Sequence, residues 1–483
     1  MAPTHGIIDF LVLGGGTAGI VGAKTAAGFG ARTVLVEQAR TGGDCLWTGC
    51  IPSKTLVSAA AQAKNRRPGG GGKPDFSAVR ERIAAAIRTI EPVDTPEALE
   101  DAGVKVLSGH VSFTGPGTAV LNGQVLRFRQ ALIATGGEPA RPRIAGLDPA
   151  GTVTSETVWD LISLPKSLAI LGGGPIACEL GQAFARLGAD VTMIVRSRIL
   201  PKETPEAVDI IRDSLRADGV AILENSSVSH ATSPAQGHRL HLEDGTAVDA
   251  DTVLLAAGRT PRTIGIGLEH VGVHLDERAH VLTDEHMQTT NPLIWAAGDV
   301  TAHPQFTHVA GVHASVAATN AVLGLRRRIS PAIPRVTYTA PEIAAVTSGG
   351  AGQPATSRTV RHSHLDRAVT EDRTEGFTEL LVGRGGRVVG GTIVGPRAGE
   401  SLAELSLAVH KKLTTSDIAG ATHAYPTYSD GVWNAAVLDV RERLRSPLTR
   451  NAIKGLAIIR RLTLDARRIS SKPGSRQRSG AQH

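Results

Sequence analysis

Two glycine-rich turns, 158 residues apart, constrain this 483-residue chain more than any other feature. The first follows the apolar stretch 7–13. Gly14, Gly16 and Gly19 form GxGxxG, an apolar helical stretch runs to about Phe29, and a second strand over 32–36 ends at Glu37. Strand, glycine turn, helix, strand and acid in that order make a complete βαβ dinucleotide fingerprint. Gly14 permits the tight turn, Gly16 lets a pyrophosphate approach the backbone, and Gly19 lets helix and strand pack closely. The helix N-terminus draws phosphates, and Glu37 is placed to accept from ribose hydroxyls. The second unit opens with SLAIL at Ser167, then Gly172, Gly174 and Ala177, alanine being an accepted variant of the third glycine. Its helix runs to Leu187, and its closing strand, 190–195, ends on no acid. Arg196 and Arg198 follow instead. A carboxylate repels a 2′-phosphate, whereas two guanidinium groups hold one. The pair of units reads as an internal duplication with one nucleotide each, and the arginines predict NADPH over NADH.

Shortly after the first unit, the stretch 41–54, TGGDCLWTGCIPSK, holds Cys45 and Cys50, two of only three cysteines. A structural disulfide here closes little loop entropy in a chain large enough for an ordinary core. Two thiolates with no second Cys/His cluster of the right spacing do not make a zinc site, so no metal is expected. A redox-active pair is the stronger reading, given an electron source beside it. The third cysteine, Cys178, lies in the second nucleotide-binding helix and reads as a small buried residue.

The stretch resembles the active-site signature GG-x-C-x-x-x-G-C-x-P-S-K of the flavin-dependent pyridine nucleotide–disulfide oxidoreductases, which include dihydrolipoamide dehydrogenase, glutathione reductase and mercuric reductase. Every fixed position is present, with Trp47 where asparagine is common. The resemblance runs from about Ile7 to Val440. It implies an α/β fold with two Rossmann-like domains, one for FAD over 1–150 and 280–330 and one for NAD(P)H over 151–279. A C-terminal α+β dimerisation domain over 331–445 then makes a homodimer. It also implies that electrons pass from NADPH through FAD to a Cys45–Cys50 disulfide and on to an acceptor, with Cys50 against the flavin and Cys45 facing the acceptor. Lys54 becomes the cation near the flavin and Glu179 its ion partner. Thr135 and Gly136 contact the flavin nucleotide, and Asp299 binds a ribityl hydroxyl. The segment AAGRTP, with Gly258 and Arg259, closes the nicotinamide domain beside the cofactor.

The chain departs from this pattern at the acid/base. Many family members carry His-x-His-Pro-Thr-x-x-Glu, whereas this chain reads HAYPTYSD from His423 to Asp430. Tyr425 stands in the catalytic histidine's place and Asp430 replaces the glutamate. A phenol titrates near ~10 and imidazole near ~6.5, so Tyr425 donates a proton but is a poor base at neutral pH. That disfavours oxidation of a dithiol such as dihydrolipoamide. His423 is a second candidate for the role. A tyrosine at this place resembles mercuric reductase, yet the vicinal cysteine pair such enzymes carry near the C-terminus is missing from this tail. The resulting expectation is a reductase of a small-molecule disulfide or other acceptor. Mercuric reductase and dihydrolipoamide dehydrogenase are alternatives of the same class, and a nucleotide-binding redox sensor of little turnover is the alternative from another.

Net charge is +7, but it is unevenly placed. From Arg441 to His483 twelve Lys/Arg face two acids, leaving about −3 on the remainder. This basic tail, 446–483, reads as solvated and partly disordered, with weak binding to nucleic acid or anionic lipid as the sharper alternative. Nucleic acid is disfavoured because no aromatics interleave with the charges. No apolar run is long enough to span a bilayer, and the N-terminus lacks the pattern of a signal peptide. With so few cysteines, a reducing cytoplasm is expected. The stretches 104–111 and 118–126 read as strands, and the loop 66–74, RRPGGGGKP, as a helix break.

Overall fold

The computed structural model describes residues 6–66, 75–148, 151–233, 237–349 and 354–470. Most of the glycine-rich break (67–74) and the end of the basic tail (471–483) lie outside the described residues. Strand β1 (Ile8–Leu13) is buried along nearly its whole length because it is central in a sheet. It pairs in parallel with β2 (Thr33–Glu37) on one side, Leu11 opposite Val34. Between them helix α1 (Thr17–Gly28) starts at Gly16, with no side-chain cap on its N-terminal amides. Helices α2 (Gly43–Trp47), α3 (Cys50–Arg66) and α4 (Phe76–Ile90) follow. Strands β3 (Val104–Ser108), β4 (Val111–Gly115), β5 (Thr118–Leu121) and β6 (Gln124–Ile133) complete the sheet, in the order β3-β2-β1-β6-β5-β4. The sequence expectation of single strands at 104–111 and 118–126 is corrected here. Asn122 and Gly123 both adopt positive φ, the geometry of a two-residue hairpin, and split the second stretch into β5 and β6. A seventh strand, Ile294–Ala296, returns from far along the chain and lies parallel to β6, Trp295 opposite Leu132.

The second glycine unit builds its own parallel sheet. Its order is Ala221–Glu224, Asp190–Val195, Ser167–Leu171, Thr252–Leu255 and Thr152–Thr154. A short antiparallel pair, Gly137–Pro139 with Arg259–Pro261, links the two units. Helix α3 is anchored across this junction. Leu56 and Ala60 are buried in one cluster with Leu180, Ala183 and Phe184 of the helix Pro175–Leu187. Each fully buried Leu or Phe there is worth about 1.5–3 kcal/mol, so the helix that begins at Cys50 is fixed against the helix that carries Glu179.

From Arg335 onward the chain forms a five-stranded antiparallel sheet covered by the helices Ala398–Lys411 and Asp430–Leu444. The first of these buries Ala398, Leu402, Leu405 and Val409, the three-to-four-residue spacing of one helix face. The described part of the tail is a single solvent-exposed helix, Pro447–Ser470, and the stretch expected to be disordered lies almost wholly outside the described residues. Ser446 starts it by accepting from the Thr449 amide, and Pro447 suits its first turn.

Candidate active site

The two cysteines are thiols held on either side of a tight turn. Gly42 and Gly43, both at positive φ, swing the chain from β2 into the short helix carrying Cys45. A Cβ on Gly43 would lie 2.6 Å from the Gly16 Cα, so the turn presses against the first glycine loop. Cys50 then opens a 17-residue helix, where unpaired backbone amides favour a negative sulfur. Its Sγ lies 3.2 Å from Thr307 Oγ1. The hydrogen bond from Cys45 lowers the Cys50 pKa; burial opposes, and Thr307 and Lys54 add to the lowering. The Cys45 pKa is raised by the same hydrogen bond and by burial. These effects favour negative charge on Cys50 over Cys45.

One turn along α3, Lys54 Nζ donates to Glu179 Oε2 at 2.7 Å and stands 4.4 Å from the centre of the Tyr338 ring. The other Glu179 oxygen accepts from the Tyr338 amide at 2.9 Å. Arg259 joins three segments. It donates to Asp299 at 2.9 Å, to the Gly137 carbonyl at 2.6 Å, and to Asp44, the residue before Cys45. Burial raises the Asp299 pKa against the pull of Arg259. Thr135 donates to the Arg262 carbonyl at 2.7 Å, and Gly136 accepts from the Arg262 amide. Sequence reasoning named Lys54, Glu179, Arg259 and Asp299 but missed Thr307, Tyr338 and Asp44. Asp44 fills a variable position of the cysteine signature, and only its charge signalled a partner.

Both glycine turns fit a dinucleotide. Gly14 has φ +106°, and a Cβ on Gly19 would stand 1.8 Å from the Gly14 carbonyl oxygen, so helix and turn touch through bare backbone. Glu37 accepts from the Gly15 amide at 2.6 Å and the Ala39 amide at 2.8 Å, which fixes its carboxylate beside the turn. In the second unit Gly172 and Gly174 repeat the turn, and Ala177 is fully buried where a third glycine stands in the first. Arg196 is exposed at the end of its strand. Arg198 instead gives its Nη2 to the carbonyls of Pro201 and Glu203. Gly258, at φ +122°, precedes Arg259 at the junction of the two units.

Residues 8–314 match the family described as pyridine nucleotide-disulphide oxidoreductase, and residues 333–436 match its dimerisation domain. The chain belongs to this family. Its members are flavoproteins that use FAD and NAD(P)H and act on sulfur groups, and the dimerisation domain makes the assembly a homodimer. A mercuric reductase of Streptomyces lividans is 35% identical over 461 residues, covering 90% of this chain and 97% of that protein. A dihydrolipoyl dehydrogenase of Geobacillus stearothermophilus is 32% identical over 451 residues, covering 89% and 95%. The solved structure of the HOCl-induced flavoprotein disulfide reductase RclA from Escherichia coli superposes with a TM-score of 0.80 at 26% identity, covering 89% of this chain and 99% of that one.

The segment at the family's acid/base position lies on the dimerisation domain. Tyr425 is 72% exposed and donates to Asp366, and the bond with that carboxylate raises the phenol pKa. Asp430 is buried at the start of its helix and accepts from the Thr427 amide at 3.0 Å. His423 Nε2 lies 2.7 Å from Glu404 Oε1, and its Nδ1 lies 3.0 Å from the Ala421 carbonyl. Burial works against the charged ring, but these two bonds outweigh it and the His423 pKa is raised. Both ring nitrogens are thus engaged away from Tyr425. Among the described residues no group of three His, Cys, Asp or Glu side chains is arranged to hold a metal ion, and no helix is long and apolar enough to cross a membrane.

Proposed function

We propose that this chain is an NADPH-dependent, FAD-containing reductase in which Cys45 and Cys50 form the redox disulfide, with a small-molecule disulfide or comparable electrophile as acceptor. The observation that carries the reading is the placement of the two thiols, with Cys50 at the N-terminus of its helix, 3.2 Å from Thr307 Oγ1 and one turn before Lys54, and Cys45 beside it. FAD, when bound, supplies the two-electron relay between nicotinamide and the cysteines. The first glycine turn with Gly14, Gly16 and Gly19 holds its pyrophosphate, Glu37 its ribose, and Thr135, Gly136 and Asp299 the remainder of the nucleotide. Gly172, Gly174 and Ala177 hold the pyrophosphate of NADPH, with Gly258 and Arg259 closing that unit. Arg196 is free to meet the 2′-phosphate, whereas Arg198 shapes the same loop through two carbonyls.

Two electrons cleave the Cys45–Cys50 bond. Cys50 leaves as a thiolate that Thr307, the helix N-terminus and Lys54 stabilise, and Cys45 takes the proton. Cys45 loses its proton to solvent, and its sulfur then attacks one sulfur of the acceptor disulfide and expels the other as a thiolate. Cys50 then attacks the Cys45 sulfur, restores the internal disulfide and releases the second thiolate. The sum is one disulfide, NADPH and a proton converted to two thiols and NADP+ at neutral overall balance once the thiolates are protonated. Tyr425 keeps its proton at neutral pH and serves as a donor rather than a base, which favours disulfide reduction over dithiol oxidation. Delivery of Hg(II) by a relay of thiols has little support here, because the one further cysteine, Cys178, is fully buried. Cysteine scarcity suits a reducing compartment, and we place the enzyme in the cytoplasm.

Anaerobic NADPH titration followed by absorbance, on wild type and Cys45→Ser, tests the reading. A long-wavelength charge-transfer band after two electrons, followed by turnover with an added disulfide, supports it. Direct bleaching of the flavin with no band and no dependence on Cys45 removes the cysteines from the electron path.

A further inference from the structure

The reaction has no use for the C-terminal helix Pro447–Ser470, yet this helix carries the chain's densest run of exposed large apolar side chains. Leu448, Leu456, Ile459 and Leu462 are between 61% and 87% exposed. At 3.6 residues per turn they fall on one side of the helix, together with Ala452. Arg450, Lys454 and Arg461 fall on the other side, flanked there by the exposed Ile453, Ile458 and Leu464. The helix is about 36 Å long at 1.5 Å per residue, and it leaves the body after Leu444 with almost every described side chain exposed. It is too polar to cross a bilayer.

An apolar stripe backed by a cationic one fits the boundary between acyl chains and anionic headgroups. The charge of the region supports that occupant, since twelve Lys/Arg face only two acids between Arg441 and His483, while the remainder of the chain is slightly acidic. A second copy of the helix is a poorer cover. It would set Arg460 of each chain beside the same apolar seam, with Asp465 the only acid of the helix to offset it. We propose that Pro447–Ser470 is a peripheral anchor that lies flat on membranes of anionic phospholipid, with its apolar stripe in the headgroup boundary and its basic stripe toward the phosphates. The homodimer carries two such helices, and their joint attachment raises the avidity of the assembly for the surface.

The test is co-sedimentation of the full flavoprotein with phosphatidylglycerol–phosphatidylcholine vesicles and with phosphatidylcholine vesicles alone. Binding is expected to the first and not the second, and to weaken with added salt. Lys454→Glu/Arg461→Glu is expected to weaken it by roughly 30-fold or more. Ile459→Asp/Leu462→Asp is expected to abolish it, with flavin content and NADPH-driven flavin reduction intact in both variants. Equal binding to neutral and anionic vesicles overturns the proposal. So does failure to bind vesicles, whether truncation before Pro447 lowers the order of the oligomer, which makes the cover a second copy, or the protein is retained on duplex DNA or RNA instead.

Discussion

Removing Lys54 and removing Glu179 break the same 2.7 Å ion pair but leave different debts behind. The Glu179 side chain is 6% exposed and that of Lys54 38%. Lys54→Met strands a buried carboxylate, a loss of about 3–5 kcal/mol for a broken buried pair. The Tyr338 amide still donates to that carboxylate, which brings the figure to the lower end, about 3 kcal/mol. Glu179→Leu leaves an ammonium that water reaches and one unpartnered amide, a loss of about 1–2 kcal/mol. The double variant removes both charges together, so it costs about as much as Glu179→Leu alone and the two sites couple strongly. Thermal unfolding at saturating FAD reads this directly. At about 1 °C per kcal/mol for a chain of this length, the two single variants differ by roughly 1–2 °C, with Lys54→Met the lower. Equal midpoints for the singles, or additive losses in the double, refute the argument from unequal burial.

Cys50 is held below the ordinary thiol range, so its thiolate forms before a free thiol would as pH rises and is lost only as pH falls through the lowered folded value. In the two-electron-reduced protein the charge-transfer band is expected to persist well below the ~8.5 of a free cysteine, and Thr307→Val moves its midpoint upward. A wild-type midpoint at or above the free-thiol value rejects this. Gly19→Ala, whose new methyl would meet the Gly14 carbonyl at 1.8 Å, is expected to purify with little flavin, while Gly28→Ala, with nothing within 4 Å, keeps its full complement; absorbance of the purified proteins decides. Arg196→Ala is expected to raise the KM for NADPH by about tenfold and leave that for NADH unchanged. Arg198→Ala is expected to lower thermal stability as well, because it loses two carbonyl partners, and steady-state kinetics with both nucleotides separates the two arginines.

What could be read in the sequence was local or carried by a long signature. The alternation of strand, glycine turn and helix around Gly14 and Gly172 lies within about 30 residues each time, and short-range periodicity reveals it. The hairpin at Asn122-Gly123 is also present in the sequence as an Asn-Gly pair, but the apolar residues on both sides of it make the stretch resemble one continuous strand. Thr307 against Cys50 was not legible, because the two lie 257 residues apart and a lone threonine has no pattern. The Asp44–Arg259 bond spans 215 residues and depends on packing of the two units. In the tail, the density of charge points to a solvated segment, while the spacing of Leu448, Ala452, Leu456, Ile459 and Leu462 is that of an amphipathic helix.

The return of Ile294–Ala296 to the first sheet sets an order of events during synthesis. β6 is complete at Ile133, yet the strand that pairs with it, and the helix Thr307–Leu323 that packs on α1, leave the ribosome only after some 160 further residues. At about 5–20 residues per second that interval lasts roughly 8–30 s. The whole second sheet, ending at Leu255, emerges within it. A chain arrested before Thr307 therefore carries a complete second unit and a first unit whose apolar face, including Leu132 and Ala134, still waits for its cover.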